Sequence, residues 1–359
     1  MIPAVFWIAT LLAVAAPAKA PPAERHPPMG DCRDDDMVDR CSPEQQRRVR
    51  ELFGVKPIEA HRAAGDQVRR AFYVDGYGND VVAIAFVRPK GGDPTLWIHF
   101  PHAAKGARPE ALQAPVPGEV WEDVLRRSSH FDRRLVRPPQ PPSASGEMTL
   151  CMHSWVFTVE ATDPAEGDYQ PATVRRATED ACDDGLAEAY AVELQRAALP
   201  LLPPCAALDR SRYRNEAMMI SACRLLSGDR LAAAKVLNRA DPLRFVREAE
   251  DAAELEGLFQ YQATVDWNGE RSGGNSTAAK FWTAKVLENG RADLYYETIE
   301  GLAPGRVRLT GLLFREITAP GSHEPVDEQA RVEQIWTDDQ GDFAIRSATV
   351  GPFQRQPPP

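Results

Sequence analysis

The chain has 359 residues, a formal net charge of −10, and 26% charged residues against 43% hydrophobic ones. That length exceeds what one hydrophobic core usually holds, so two or more domains are expected. The acidic balance argues against nucleic acid as a partner, because a protein that grips phosphates needs basic patches to displace counterions.

Residues 1–20 hold an apolar run, 2–16, followed by Ala18-Lys19-Ala20, a small-x-small sequence of the kind signal peptidase cuts. The run is shorter than the roughly 20 apolar residues that a membrane-spanning helix needs. No Lys or Arg precedes it, so only the amino terminus supplies positive charge. The expectation is a signal peptide cleaved after Ala20, a periplasmic or secreted protein, and no stable membrane span after cleavage.

Six cysteines follow: Cys32, Cys41, Cys151, Cys182, Cys205 and Cys223. An even count in an oxidising compartment favours disulfides over free thiols. Fifteen pairings are open to six cysteines. Sequential pairing (Cys32–Cys41, Cys151–Cys182, Cys205–Cys223) keeps every loop local and is favoured here. There is no C-x-x-C and no Cys/His set with zinc spacing, so no metal is expected.

Residues 21–44 are Pro-rich and acidic, and include a short loop between Cys32 and Cys41. That loop lacks the alternating ligands, central Gly and closing Glu of a calcium-binding loop. Ser42 reads as a helix N-cap, with Pro43 at the first helical position. Strand periodicity begins near Val68. Residues 72–74 and 81–87 flank a Gly-containing turn at 75–80, which predicts a hairpin. A third strand is expected at 95–100 and a helix at 118–135, with Trp121 and Leu125 on one face. Residues 137–146 read as a Pro-rich linker and 148–161 as strand. Composition then turns helical from Thr178 to Asp241, interrupted by Pro200, Pro203 and Pro204, where Cys205–Cys223 would staple a helical hairpin. Residues 42–240 are therefore expected to form an α+β domain that ends in helices.

Chemistry is sparse in this region. His153 stands beside Cys151 without a third orienting group, and a disulfide-bonded cysteine is no nucleophile. His99 and His102 flank Pro101 with no supporting carboxylate, so they read as structural. Gly76-x-Gly78 lacks the third glycine and the following helix of a dinucleotide loop.

The pattern changes again after Ala240. A helix is expected from Asp241-Pro242 to about Phe259, then a strand at 263–267 and a loop at 268–275. Asn275-Ser276-Thr277 matches a glycosylation sequon, but Ser276 reads more simply as the cap of a helix closed by Asn289-Gly290. Four strands are expected at 292–300, 306–317, 329–337 and 342–353, with a tight turn at 338–341.

Leu258-Phe259, Val265-Asp266-Trp267-Asn268-Gly269 and Ala278-Ala279-Lys280-Phe281-Trp282, followed by Arg331-Val332-Glu333-Gln334-Ile335-Trp336 and Gly341-Asp342-Phe343-Ala344-Ile345, stand in a helix–strand–helix–four-strand order. In this order residues 241–356 resemble the ketosteroid isomerase-like, nuclear transport factor 2-like superfamily. The resemblance implies a cone-shaped α+β domain, a curved antiparallel sheet wrapped on helices around a pocket. Tyr261, Trp267, Trp282, Tyr296, Gln334 and Trp336 are the expected pocket residues. In the isomerase members a carboxylate base follows the first strand, and Asp266 falls at that place. The oxyanion partners such members need are missing, since Phe245 and Phe314 stand where a phenol and an acid are wanted. The expected function is a non-catalytic module at the cell envelope that binds an apolar small molecule or an envelope protein. A homodimer is compatible with it, and no cofactor is required. An isomerase- or hydrolase-like enzyme using Asp266 is the alternative.

Overall fold

The computed structural model describes residues 43–101, 111–132, 155–165, 172–180, 186–244, 246–290, 292–318, 325–338 and 341–355. The expected signal, the Cys32–Cys41 loop, the 137–146 linker, Cys151, Cys182, His102, His153 and Phe245 lie outside the described residues.

Two short helices, α1 (Pro43–Phe53) and α2 (Ile58–Ala64), lead into the first sheet. Its strands are β1 (Gln67–Val74), β2 (Asp80–Arg88), β3 (Thr95–His99) and β4 (Ala111–Pro115), then, after α3 (Gly118–Asp132), β5 (Val156–Asp163) and β6 (Thr173–Asp180). They pair antiparallel in the order β4-β3-β2-β1-β5-β6. The expected hairpin is the β1–β2 pair, and Asp75 caps its turn by accepting from the N–H groups of Tyr77 and Asn79 at 2.9 Å.

Seven of the eight residues of β1 are buried, so this strand is covered on both faces. On one side Phe72 stacks with Phe53 of α1 at 5.8 Å between ring centroids. On the other, the Tyr73 hydroxyl donates to the Ala191 carbonyl at 2.6 Å, within α4 (Leu186–Ala198). The strand pattern runs on to Asp180 where helical composition was expected from Thr178, because Thr178 and Ala177 are buried against β5.

The middle of the chain is helical: α5 (Pro203–Ala206), α6 (Glu216–Ala222) and α7 (Arg230–Ala240), with a three-residue strand β7 (Leu226–Gly228) between the last two. Cys205 and Cys223 form a disulfide that ties α5 to the turn after α6, with 5.5 Å between Cα atoms.

The second sheet contains β8 (Phe259–Trp267) and β9 (Glu270–Gly273), which follow α8 (Asp251–Leu255). After α9 (Asn275–Glu288) come β10 (Asp293–Ala303), β11 (Arg306–Thr318), β12 (Pro325–Asp338), β13 (Phe343–Val350) and β14 (Gln354–Arg355). The order is β7-β10-β11-β12-β13-β8-β9, with β14 on β12. The chain is thus α+β, with one antiparallel sheet and one mixed sheet.

Three expectations need correcting. No single helix runs from Asp241 to Phe259. Pro242 ends α7 in a 3-10 turn, and Asp251 accepts from the N–H groups of Arg247 and Glu248, so α8 starts afresh. Helix α9 is preceded by Gly274 at φ 88°, and Ser276 lies inside it rather than at the cap. The boundary at 240/241 cuts a packed unit. β7, which precedes it, pairs in parallel with β10, and the two backbones touch so closely that a Cβ on Gly228 would lie 2.2 Å from the Gly301 carbonyl oxygen. Buried apolar residues of both sheets join through α4–α7 into one continuous core.

Candidate functional site

Asp266 sits one residue before the β8–β9 turn. Val265 and Trp267, its neighbours in the strand, are buried, and strand alternation turns Asp266 to the solvent side. Asn268 at φ 51° and Gly269 at φ 91° make the two-residue hairpin turn that an Asn-Gly pair favours. One carboxylate oxygen accepts from the Gly269 N–H at 2.9 Å and the other from Arg271 Nε at 2.7 Å. The Arg271 guanidinium, seconded by the Gly269 N–H, holds this carboxyl below its ordinary value. A general base wants a free lone pair and a raised pKa. Asp266 has its pKa shifted the other way and both oxygens already engaged, and its geometry is that of a turn aspartate.

The six expected pocket residues separate into three groups. Trp267, Trp282, Gln334 and Trp336 are all within the core, at most 4% exposed. Trp267 meets Trp282 edge-to-face at 5.5 Å, and the Trp336 indole N–H donates to Gln334 Oε1 at 3.0 Å. Tyr296 is a strut between elements: its hydroxyl donates to the Ala240 carbonyl at the end of α7, and the Arg244 guanidinium lies 5.7 Å from its ring centre. Burial pushes its phenol well above the usual tyrosine range. Tyr261 is not in the interior at all; it is 83% exposed. The strand starts at Phe259, earlier than the expected 263–267, and because Phe259 pairs with Ile345 but Thr264 with Ser347 it bulges over the stretch that holds Tyr261.

The interior of the second sheet also keeps three polar atoms without a protein partner: Gln334 Nε2, Trp282 Nε1 and Thr283 Oγ1. Thr283 was missed from the sequence, where a threonine in an Ala- and Trp-rich helix gives no sign that its hydroxyl is buried. Phe314 stands on the opposite, outward face, edge-to-face with Tyr295 at 5.3 Å.

A second concentration of functional groups, also missed, is the charge cluster of the first sheet. Glu160 on β5 is fully buried and is met by Arg70 Nε at 2.5 Å, Arg176 Nε at 2.6 Å and Arg50 Nη1 at 3.0 Å. Burial alone would raise its pKa, but the charges of Arg70 and Arg176 prevail and hold it below the ordinary glutamate value. Arg69, the next residue, points to the other face and bonds Ser128 of α3 and Asp163. Asp163 is pulled down to about 2, against its burial, by Arg69 and Arg175. The sequence did carry a signal. Two adjacent arginines amid the apolar residues of a strand mean that both faces are covered and both guanidiniums need partners.

His99 stacks on Trp97 at 6.0 Å. Burial, helped by the charge of Arg70, lowers its pKa to about 4. Among the described residues no group of His, Cys, Asp and Glu could hold a metal ion, and no helix is long and apolar enough to cross a membrane.

No protein-family model matches the sequence, and no curated protein matches it. Among solved structures, the chain is similar to an NTF2-like protein of unknown function from Shewanella oneidensis. The identity is 9%, covering 33% of this chain and 97% of that one, with a TM-score of 0.26. It is similar to a protein of unknown function with a cystatin-like fold from Nostoc punctiforme, at 11% identity, covering 34% and 90%, TM-score 0.27. A DUF4783 family protein from Bacteroides uniformis is similar at 12% identity, covering 30% and 88%, TM-score 0.23.

Proposed function

We propose that this chain is an exported, non-catalytic binding protein whose C-terminal third, residues 241–356, is a nuclear transport factor 2-like cone that takes a small apolar molecule bearing a hydrogen-bond acceptor. The observation that carries this reading is the pair of buried donors, Gln334 Nε2 and Trp282 Nε1, left without a partner among the described residues in an otherwise apolar interior. A buried donor with no acceptor costs about 1–3 kcal/mol, so native interiors rarely keep one unless water or a ligand answers it. An apolar wall with a few polar groups is what small-ligand sites generally offer. The small-x-small sequence at 18–20 supports export, and the Cys205–Cys223 bridge fits an oxidising compartment. An enzyme working through Asp266 is disfavoured, because that carboxylate is already held by Arg271 and Gly269.

The test uses full-length protein recovered from an exporting host, whose intact mass should begin at Pro21. Titration with benzophenone, an apolar ketone, should quench tryptophan emission saturably, and Gln334→Leu should abolish the response in a protein that still melts cooperatively. If neither benzophenone nor a panel of apolar amides and esters perturbs the tryptophans, the cone is not a ligand site.

A further inference from the structure

We propose that a groove on the opposite half of the molecule, between the C-terminal end of α2 and the β2–β3 turn, binds a small phosphorylated molecule. The groove encloses about 470 Å³, and Arg62, Arg88 and Lys90 line it. That volume lies within the range usual for small-molecule sites, roughly 300–1,000 Å³. The inference is independent of the cone, since it rests on other residues in the other half.

Charge is the first argument. The chain as a whole carries −10, yet among the described residues no carboxylate lines this groove. Of the acids adjacent in sequence to its lining residues, the two among the described residues are already engaged. Asp66 accepts from His61 at 2.8 Å and faces Lys56 at 3.5 Å, while Asp163 is engaged by Arg69, Arg175 and the Gln67 amide. The buried and half-buried arginines of this half among the described residues, Arg50, Arg69, Arg70, Arg175 and Arg176, are each paired with a carboxylate. Arg62, Arg88 and Lys90 have no ion pair among the described residues. Three cations held around one concavity repel one another, and a dianion placed among them relieves that repulsion.

The bland account covers only part of this. Arg62 lies in the last turn of α2, where the helix dipole favours a cation. That explains Arg62 but not Arg88, which ends a strand. Lys90 is positioned by packing: its backbone N–H donates to Asp66 Oδ1, and its stem crosses Gly65 so closely that a Cβ there would stand 3.1 Å from Lys90 Cδ. Pro89 fixes the backbone between the two cations, while the side chains of Arg62, Arg88 and Lys90 are exposed and must be ordered on binding. Ala63, Pro89, Pro164 and Ala172 give the groove a small, apolar wall against which an organic portion can lie. Two guanidinium forks and one ammonium match the oxygens of a phosphate monoester better than a single carboxylate.

Phenyl phosphate is the probe, titrated calorimetrically into the full chain at physiological salt, with benzyl alcohol as the neutral control. Saturable binding is expected with Kd below about 1 mM, weakened about tenfold or more by the double substitution Arg88→Gln, Lys90→Gln. Arg126→Gln, an exposed arginine paired with Asp123, should change nothing, and all variants should melt like wild type. Phosphatidylglycerol vesicles form the second arm and should bind no more tightly than neutral vesicles. Absence of saturation, binding that survives the double substitution, or vesicle binding that phenyl phosphate does not displace would each overturn the proposal.

Discussion

At its centre the six-stranded sheet holds Glu160 within reach of three guanidinium groups, whereas the eight-stranded sheet buries Trp336, Trp282 and Trp267 in the comparable place. Both centres are buried, and both draw helices onto a sheet, but by different physics. In the first, Arg50 ties α1 to β5, Arg70 ties β1 to the carbonyl of Lys56 ahead of α2, and Arg176 reaches Glu59 of α2 at 3.0 Å. These contacts are directional, and they fix which helix lies where. In the second, buried tryptophans pack among aliphatic side chains, with Trp267 edge-to-face on Trp282. A buried ion cluster tolerates loss of a partner poorly, while an aromatic wall tolerates a guest. That difference is why the ligand reading belongs to the second sheet and the acid sensitivity to the first.

The sharpest way to break the comparison is to remove a charge from the first centre. Glu160→Ala strands Arg70 and Arg176 without their main counter-charge, and a loss of about 3–5 kcal/mol in denaturant unfolding is expected. Trp282→Ala should cost a similar amount, through the cavity it leaves. The distinction lies in compensation. Replacing Glu160 and Arg70 together by Met and Leu should recover part of the loss, because it removes the most deeply buried of the three guanidiniums, while Arg176 keeps Glu59 and both Arg176 and Arg50 reach solvent. If Glu160→Ala alone is mild, the cluster is solvated and the contrast between the sheets collapses.

These two centres were not equally visible in the sequence. Alternation in β11 announced Val307, Leu309 and Leu313 as inward, and all three are buried. Asp338 and Gly341 marked the β12–β13 turn, where Gly341 takes φ 96° and its N–H bonds Asp338. The α+β class followed from such local patterns. What escaped was non-local. Glu160 and Arg70 are 90 residues apart, and Arg50 is 110 from Glu160, so nothing within a window of sequence pairs them. β7 was invisible for a related reason: three residues carry no period, and only the close approach of Gly228 to Gly301 makes them a strand. Tyr261 fell outside the expected strand at 263–267, and the bulge between Phe259 and Thr264 has no local period to announce it.

Acid should separate the two sheets next. His99, on β3, has its pKa lowered from 6.5 to about 4, so the unfolded chain takes up a proton before the folded one does. Stability therefore falls as pH drops from about 6.5 to 4, by roughly 1–2 kcal/mol near pH 5. Asp163, lowered from 3.8 to about 2, and Glu160, lowered from 4.5, contribute stability that is full above about pH 5 and is lost as pH falls from those unfolded values toward the folded ones. Two phases are expected in the acid limb of a stability–pH curve, and His99→Gln should remove the first and leave the second. Near-UV signals from the tryptophans of the second sheet should follow the same curve, because one apolar core joins the halves. Separate curves would show that the halves unfold independently.

The smallest expected effect bears on whether the second sheet catalyses anything. Asp266 does two jobs in its turn, accepting from the Gly269 N–H and pairing with Arg271, whose side chain is 81% exposed. An exposed pair of this kind contributes little and is screened by salt. Asp266→Asn keeps an oxygen for Gly269 and gives up only the pairing, so it should melt close to wild type at low salt and indistinguishably from it at high salt. Asp266→Ala gives up both and should melt lower than either at any salt concentration. Benzophenone quenching should be unchanged in all three, since Val265 and Trp267 keep their inward places whatever residue 266 carries. A carboxylate acting as a base predicts the reverse order: Asn and Ala would lose turnover alike, however differently they melt. An Asn variant with wild-type stability and no residual turnover on a substrate that the wild type converts would reassign Asp266 from the turn to the chemistry.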